Sequence, residues 1–532
     1  MRLGILWIHT TPTTPKSKTM TKPTNILAFT ALILFFALPA QAFADERPNI
    51  VFLMTDDQST YSLGCYGNED VITPNIDQLA AAGVVFDRHY ANTAICMASR
   101  ATVMTGLYEY RVGCNFSHGH MLQSTWKKTY PMLLRDAGYR TAFAGKFGFE
   151  VQENADSKEP LPLPADDFDM WGGGPQQTQY RTASNKSMKK YAKKHPHSST
   201  SYGAFGQDFI KESVTAKKPF CLSISFKAPH KPATPDPRFD HVYKDATFKK
   251  PANYGREAGA HFAEQSKTDR QYERFFSWNY ADKYDEVMRT YHQQIYGVDV
   301  AVGMITDALK EHGVANNTVV IFTADNGFLC GSHGYGSKVL PYEEASRVPL
   351  VIFDPREENS GKGLRSSALS GLIDIAPTIL ELAGVEAPDS IDGKSLTTLY
   401  RDPKASIHED IALINVWGRR PTHSLTVVTQ DRKYIYWAFA GNGMKETEEL
   451  YDLAADSGEM QNLASRSGHE GSLNEMRQRY DHFVNSWNKA SVPMHGYQPY
   501  GTIFDRNVGW EEKKDLYPKP QRLSQPKKKK KN

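Results

Sequence analysis

The chain has 532 residues, 40% of them hydrophobic and 23% charged, with five cysteines. That apolar content excludes wholesale disorder, the few cysteines exclude a disulfide-stapled scaffold, and the length suits two to four domains or one large domain with an appendage. The net charge is +3, but four basic and no acidic residues lie in 1–44 and five lysines occupy 527–531; without them the body carries −6, which excludes a nucleic-acid-binding core.

Residues 26–40, ILAFTALILFFALPA, are almost wholly apolar, with Lys22 before them and the small-x-small sites Ala40-Gln41-Ala42 and Ala42-Phe43-Ala44 after. A membrane span needs about 20 apolar residues, so this run is short for one. The three-part layout predicts a cleaved secretory signal over 1–44, with Met20 as the expected start. No later apolar run is long enough to span a bilayer. The expectation is an exported protein without stable membrane insertion, periplasmic first and extracellular second.

Residues 50–54, IVFLM, end in Thr55-Asp56-Asp57 and read as a strand buried on both faces. The same pattern returns at 318–324, TVVIFTA, ending in Asp325-Asn326-Gly327, and more weakly at 220–226 and 348–353. Helical periodicity falls at 75–82, 130–137, 291–311 and 374–383. Strands alternating with helices predict an α/β fold: a large doubly wound, mixed but mostly parallel sheet flanked by helices, over residues 45–412. Residues 151–200 and 231–290 lack periodicity and read as long excursions over the sheet edge. From 413 to 500, antiparallel strands at 425–428 and 433–439 and a closing helix at 473–487 predict a smaller C-terminal α+β subdomain. From 501 to 532 Pro, Lys and Gln dominate, which predicts a tail.

Two strand ends thus present Asp56, Asp57, Asp325 and Asn326, oxygen donors suited to a hard divalent cation, calcium first and magnesium second. Cys96-Met97-Ala98-Ser99-Arg100 places a cysteine where a helix begins, one turn from an arginine. Those surroundings would lower a thiol pKa from about 8.5 and favour reactivity. Cys65, Cys114, Cys221 and Cys330 are even in number and compatible with export, with pairing left open. The lysine-rich stretch 186–194, KSMKKYAKK, reads either as a guide for a polyanion or as a solvated helix face.

Cys-x-Ala-x-Arg with Thr-Gly-Leu-Tyr downstream resembles the signature of the type I sulfatases, within the alkaline phosphatase superfamily. The resemblance covers nearly all of 47–490 in ordered blocks: RPNIVFLMTDDQ, TPNIDQLAAAGVVFDRHYA, CMASRATVMTGLY, AGKFGF, SFKAPHKP, TADNGFLCGSHGYGSK, RVPLVIF and ELYDLAADSGEMQNLA. It implies that a separate maturation enzyme oxidises Cys96 to Cα-formylglycine, whose hydrate attacks sulfur with one hydroxyl and expels sulfate by deprotonating the other. A serine could not release sulfate that way. Carried over by motif, Asp56, Asp57, Asp325 and Asn326 are metal ligands with position 96 as the fifth. Arg100 orients the hydrated aldehyde; Lys146 contacts the nucleophile and a sulfate oxygen; His230 is the candidate general acid; Lys338 is the second sulfate-binding lysine. His333 is either a substrate contact or loop support. One position departs from the pattern: Gly-Lys-x-His is usual, whereas Gly145-Lys146-Phe147-Gly148 stands here, with His118 and His120 as the nearest substitutes.

The expectation is therefore an exported, calcium-dependent sulfuric ester hydrolase acting on a sulfated small molecule or glycan, most readily a carbohydrate. Two other readings stay open: a phosphodiesterase or phosphonate monoester hydrolase of the same superfamily, and a non-catalytic sulfoglycan-binding protein motivated by Gly148.

Overall fold

The computed structural model describes residues 47–519. The expected leader at 1–44 and the lysines at 527–531 lie outside the described residues. In chain order the strands are β1 (Asn49–Thr55), β2 (Val84–Tyr90), β3 (Met121–Leu122), β4 (Arg140–Lys146), β5 (Val151–Gln152), β6 (Met170–Gly174) and β7 (Phe220–Ser225). They continue with β8 (Thr318–Ala324), β9 (Leu350–Phe353), β10 (Leu364–Gly371), β11 (Asp410–Asn415), β12 (Ser424–Thr429), β13 (Arg432–Trp437) and β14 (Thr447–Asp452).

Eight strands form one sheet in the order β10-β2-β9-β8-β1-β7-β4-β6. Every neighbouring pair is parallel except those made by β9, which runs antiparallel to both β2 and β8. The expected mixed, mostly parallel sheet is present. Its doubly wound character follows from side-chain alternation along the strands. In β1, Val51 and Leu53 enter a core with the helices Ser198–Ala216 and Tyr284–Glu311, through residues such as Phe205, Phe209, Ile295 and Val298. Ile50, Phe52 and Met54 enter the opposite core with the helices Cys96–Thr105 and Ile375–Leu382, through Met97, Val103, Ile375 and Ile379.

β11 to β14 form an antiparallel sheet whose one face packs on the helix Glu470–Ala490, through Leu473, Met476, Tyr480 and Trp487. Its other face, with Ile411, Leu413, Ile435 and Trp437, packs on Tyr90, Phe262, Leu329 and Tyr342 of the larger layer. The boundary expected at 412/413 falls inside β11, so the subdomain starts with the strand at Asp410. The tail expected from 501 also needs correcting. Ile503, Phe504 and Tyr517 are buried in the C-terminal core, because aromatic side chains there outweigh the polar composition around them. Among the described residues, no helix is long and apolar enough to cross a membrane.

The excursion at 151–200 holds the edge strand β6, and its helix from Ser198 continues into the main layer. Lys189, Lys190, Lys193 and Lys194 are exposed there and none lines the main cleft; Lys190 pairs instead with Asp208 at 3.2 Å. The excursion at 231–290 carries the helix Arg270–Ser277 and builds a wall of that cleft. None of the five cysteines is disulfide-bonded.

Candidate active site

β1 and β8 lie side by side in register, with Thr55 opposite Ala324. Their carboxyl ends therefore bring Asp56 and Asp57 next to Asp325 and Asn326, at the edge where parallel sheets place ligands. All four are buried. Asp57 turns the chain sharply, with φ +70, a conformation aspartate tolerates better than most residues. The turn is held by Tyr291, whose hydroxyl donates to the Asp57 carbonyl at 2.8 Å and accepts the Ser59 N–H at 3.0 Å.

Cys96 is the first residue of the helix Cys96–Thr105, which has no side-chain cap and is buried along its whole length. The positive end of that helix thus lies among carboxylates. Cys96 Sγ donates to Asp56 Oδ1 at 3.3 Å and accepts from Lys338 Nζ at 2.5 Å. Lys338 also binds Asp57 Oδ1. Lys146, the last residue of β4, reaches Asp56 Oδ2 at 2.5 Å. His230, in the loop after β7, has Nε2 3.9 Å from Asp57 Oδ2. One oxygen, sulfur or nitrogen from each of Asp56, Asp57, Cys96 and His230 lies within 4.8 Å of all the others.

Arg100 is 1% exposed and spans the site behind the thiol. Its Nε and Nη2 lie 2.9 and 2.7 Å from Asp325 Oδ2, and Nη1 donates to the Lys146 carbonyl at 2.8 Å and to Ser225 Oγ at 2.5 Å. This is the planar fork in use, which a lysine cannot reproduce. Asp325 is correspondingly turned toward Arg100, while its Oδ1 accepts the Asp57 N–H at 3.3 Å.

The electrostatics are those of a closely balanced cluster. Burial would raise the Asp56 carboxyl, but Lys146, His230, Lys338 and Arg100 together hold it well below the usual range. Asp325 is pushed up to about 6 by burial and by the neighbouring Asp56 charge, against Arg100. The low thiol pKa expected from a helix start beside an arginine is overturned. Burial, then Asp56, push Cys96 up to about 12, and Arg100 points to Asp325 rather than to sulfur. As cysteine, position 96 is a neutral thiol and a poor nucleophile. Burial also pushes His230 down to about 4. Its Nδ1 faces the Lys231 carbonyl, so the neutral ring carries its proton there and Nε2 is an acceptor.

The donor set fits a hard cation. Asn326 Nδ2 donates to Asp57 Oδ1 at 2.7 Å and to the Gly327 carbonyl at 3.0 Å, which fixes the amide and leaves its buried Oδ1 without a hydrogen-bond partner. An orphaned buried carbonyl oxygen among carboxylates is what a divalent ion would satisfy.

Lys146 is fully buried behind Asp56 and does not line the cleft. His333 is fully buried against Asn253 and Glu344, with its ring 4.5 Å from Phe262, so it supports the loop and does not reach the cleft. His118 is held by the carbonyls of His495 and Val416, and His120 lies beside Glu150; neither stands in for the histidine missing at 148. Gly148 itself has φ +85, and a Cβ there would come within 2.4 Å of Arg100 Cδ. The guanidinium stem occupies that space. Ser225, Tyr291 and Lys227 were missed. Lys227 sits in the SFKAPHKP block, where a second basic residue was the available signal; its Nζ donates to the Gln177 carbonyl at 3.0 Å.

Comparison with known proteins agrees with this geometry. The sulfatase family profile matches residues 48–385, and that of the N-sulphoglucosamine sulphohydrolase C-terminal region matches 331–485. This chain belongs to the sulfatase family and is a sulfuric ester hydrolase. It is 28% identical to an N-acetylglucosamine-6-O-sulfatase of Bacteroides thetaiotaomicron, over 86% of this chain and 89% of that protein. An arylsulfatase of Clostridium perfringens is 27% identical over 81% of this chain and 93% of its own length. Among solved structures, one captured with its substrate D-glucosamine-2-N,6-O-disulfate superposes with a TM-score of 0.67 at 26% identity, over 83% of this chain and 98% of its own. A phosphonate monoester hydrolase of Agrobacterium radiobacter shares the fold, with a TM-score of 0.65 at 19% identity, over 83% and 96%.

Proposed function

We propose that this chain is an exported sulfatase that hydrolyses sulfate esters on a sulfated carbohydrate, using Cα-formylglycine at position 96 and one divalent cation, calcium by preference. The observation that carries this reading is the placement of Cys96 on the cleft floor, in contact with both Asp56 and Lys338. An unmodified thiol held near pKa 12 has no evident use there. Formylglycine supplies a hydrated carbonyl able to attack sulfur with one hydroxyl and, once the alcohol has left, to expel sulfate by deprotonation of the other, after which water rehydrates the aldehyde. Asp56, Asp57, Asp325 and Asn326 are the residues that would hold the cation, which would supply positive charge for the sulfonate oxygens.

The chain's own groups supply the rest. Asp56, Asp57 and Asp325 balance Arg100, Lys146 and Lys338, so adding a divalent ion turns a neutral cluster into one that attracts an anionic ester. Lys338 lines the cleft and would bind a sulfate oxygen. Lys146 acts from behind, on Asp56. His230 lines the cleft with Nε2 unprotonated, able to take a hydroxyl proton and return it to the leaving oxygen. The carbohydrate substrate is supported by the printed name of one relative, an N-acetylglucosamine-6-O-sulfatase, and by the sugar disulfate bound in one similar solved structure. Export is supported by the leader at 26–40 and by relatives named as extracellular sulfatases.

Mass spectrometry of the peptide containing Cys96, from protein made in its own host, should show a loss of roughly 18 Da on conversion of thiol to aldehyde. That protein should release inorganic sulfate from sulfated sugars, and Cys96→Ala should fold but not turn over. An unconverted cysteine together with full activity would overturn the reading.

A further inference from the structure

The cleft over Cys96 has a volume of about 920 Å³, larger than one sulfate group requires. Cys96, Asp57, His230 and Lys338 form one part of its lining; Arg270, Arg274 and Lys231 form another. This second group is unusual in its partners. Among the described residues, no carboxylate lies within 4 Å of any of these three cationic heads, although that is the commonest neighbour of a surface arginine. Of the acids adjacent to them in sequence, Glu273 pairs with neither arginine, and Asp269 accepts the N–H of Arg270 at 2.7 Å and of Arg419 at 3.3 Å, its charge favouring both guanidiniums from beyond ion-pair distance. Glu286, also in the lining, pairs with Lys283 at 3.4 Å.

Aromatic faces hold the cations instead. The Arg274 guanidinium carbon lies 4.1 Å from the Trp278 ring centre, that of Arg270 4.1 Å from Trp417, and Lys231 Nζ 4.9 Å from Trp278. Stacking fixes the direction of a guanidinium and leaves its edge donors available. Arg270 Nε is buried and has no hydrogen-bond partner. Arg274 Nη1 donates to Ser337 Oγ at 2.7 Å, next to Lys338 in sequence. Burial and the charge of Arg270 push Arg274 down to about 10, so each cation is held near another at some cost. An oxyanion between them would relieve that repulsion.

We propose that the substrate carries a second anionic substituent besides the scissile sulfate, a sulfo group or a carboxylate, and that Arg270 and Arg274 receive it, with Trp278 and Trp417 as the aromatic walls. This rests on the sulfatase reading above and narrows its substrate to a dianionic or polyanionic carbohydrate. Salt should weaken this recognition, because the cleft is open to solvent.

The test is steady-state kinetics of the mature enzyme on four substrates: an aryl sulfate, N-acetylglucosamine 6-O-sulfate, glucosamine 2-N,6-O-disulfate, and a 6-O-sulfated disaccharide bearing a uronate. The expected result is a kcat/KM at least tenfold higher for one of the two doubly charged sugars than for the monosulfated one. Whichever is preferred identifies the second group as sulfo or carboxylate. Arg270→Gln and the Arg270→Gln/Arg274→Gln pair should collapse that ratio at least tenfold, mainly through KM, whereas Arg270→Lys should retain part of it. Equal kcat/KM for singly and doubly charged sugars in the wild type, or a ratio unchanged in the double variant, overturns the proposal. Turnover of the aryl sulfate with none of the sugars overturns the carbohydrate reading and this proposal with it. No turnover of any sulfate ester defeats the sulfatase reading itself.

Discussion

Gly148 offers a sharp test, because the resemblance implies a histidine at a position where this chain has none. A Cβ at 148 would lie 2.4 Å from Arg100 Cδ, and the stem must retreat by about 1 Å to reach ordinary contact. The backbone also stands at φ +85, which costs a side-chain-bearing residue about 1–2 kcal/mol. Gly138 is a natural control: its φ is +89, but nothing lies within 4 Å of its Cβ position. Gly138→Ala should therefore lose only the backbone part, about 1–2 kcal/mol, and keep its activity. Gly148→Ala should lose that and part of the buried Arg100–Asp325 pair, whose full rupture costs about 3–5 kcal/mol, for about 3–5 kcal/mol in all. Displacing the fork by about 1 Å should cost roughly a hundredfold in kcat/KM. Urea melts and sulfate-release kinetics on both variants, with Gly148→His alongside, make the comparison. Should Gly148→Ala melt with Gly138→Ala and turn over like the wild type, the account of Arg100 is wrong. A more active Gly148→His would mean that the absent imidazole is a real deficiency rather than a space already filled.

Other expectations follow from the same geometry. Arg100→Lys should keep one of four contacts and lower kcat about a hundredfold or more, measured with KM to show that substrate binding suffers less. Treatment with a chelator should remove activity and lower the melting temperature, and calcium at about 100 times its Kd should return about 2.7 kcal/mol of stability; a melting curve indifferent to calcium would count against the donor set. Glu109 is buried and pushed up to about 7. Because its folded pKa lies above the usual 4.5, the folded state holds the proton more tightly, and stability falls as pH rises from about 4.5 through 7. Glu109→Gln keeps acceptors for Asn115 and Tyr497 and should raise stability by about 1–3 kcal/mol at pH 8 with little change at pH 4. Equal effects at both pH values would refute a cost due to ionisation.

How much of this was legible depended on where each residue lies. β1 and β8 were plain in sequence because they are central strands buried on both faces, which demands unbroken apolar runs. β6, with the sequence MWGGG, and β10, with LRSSALSG, are edge strands whose glycines and serines obscure the pattern. The helix Ser198–Ala216 is rich in serine and glycine and has weak intrinsic propensity; it is specified by tertiary packing, with Gly203 and Gly206 admitting Ala301, Met304 and Ile305 of the helix Tyr284–Glu311. At the site, the carboxylates and Cys96 were found because each stands in a recognisable local motif. Ser225 and Tyr291 were not: Ser225 opens the SFKAPHKP block but its partner Arg100 lies 125 residues away, and Tyr291 reaches Asp57 across 234 residues with no local pattern to mark it. The thiol was misjudged for a related reason: helix position and a nearby arginine are visible in sequence, whereas burial against Asp56 is not.

The side-by-side register of β1 and β8 has a consequence for assembly. Asp57 and Asn326 bond across 269 residues, and each sits at the end of a strand in the middle of the sheet. No fragment that lacks either half can gather the oxygen donors, and loop closure over that span is rewarded only when both strands have docked. Capacity to chelate should therefore vanish together with global cooperativity during denaturation, making cation affinity a direct gauge of whether the sheet's centre is intact.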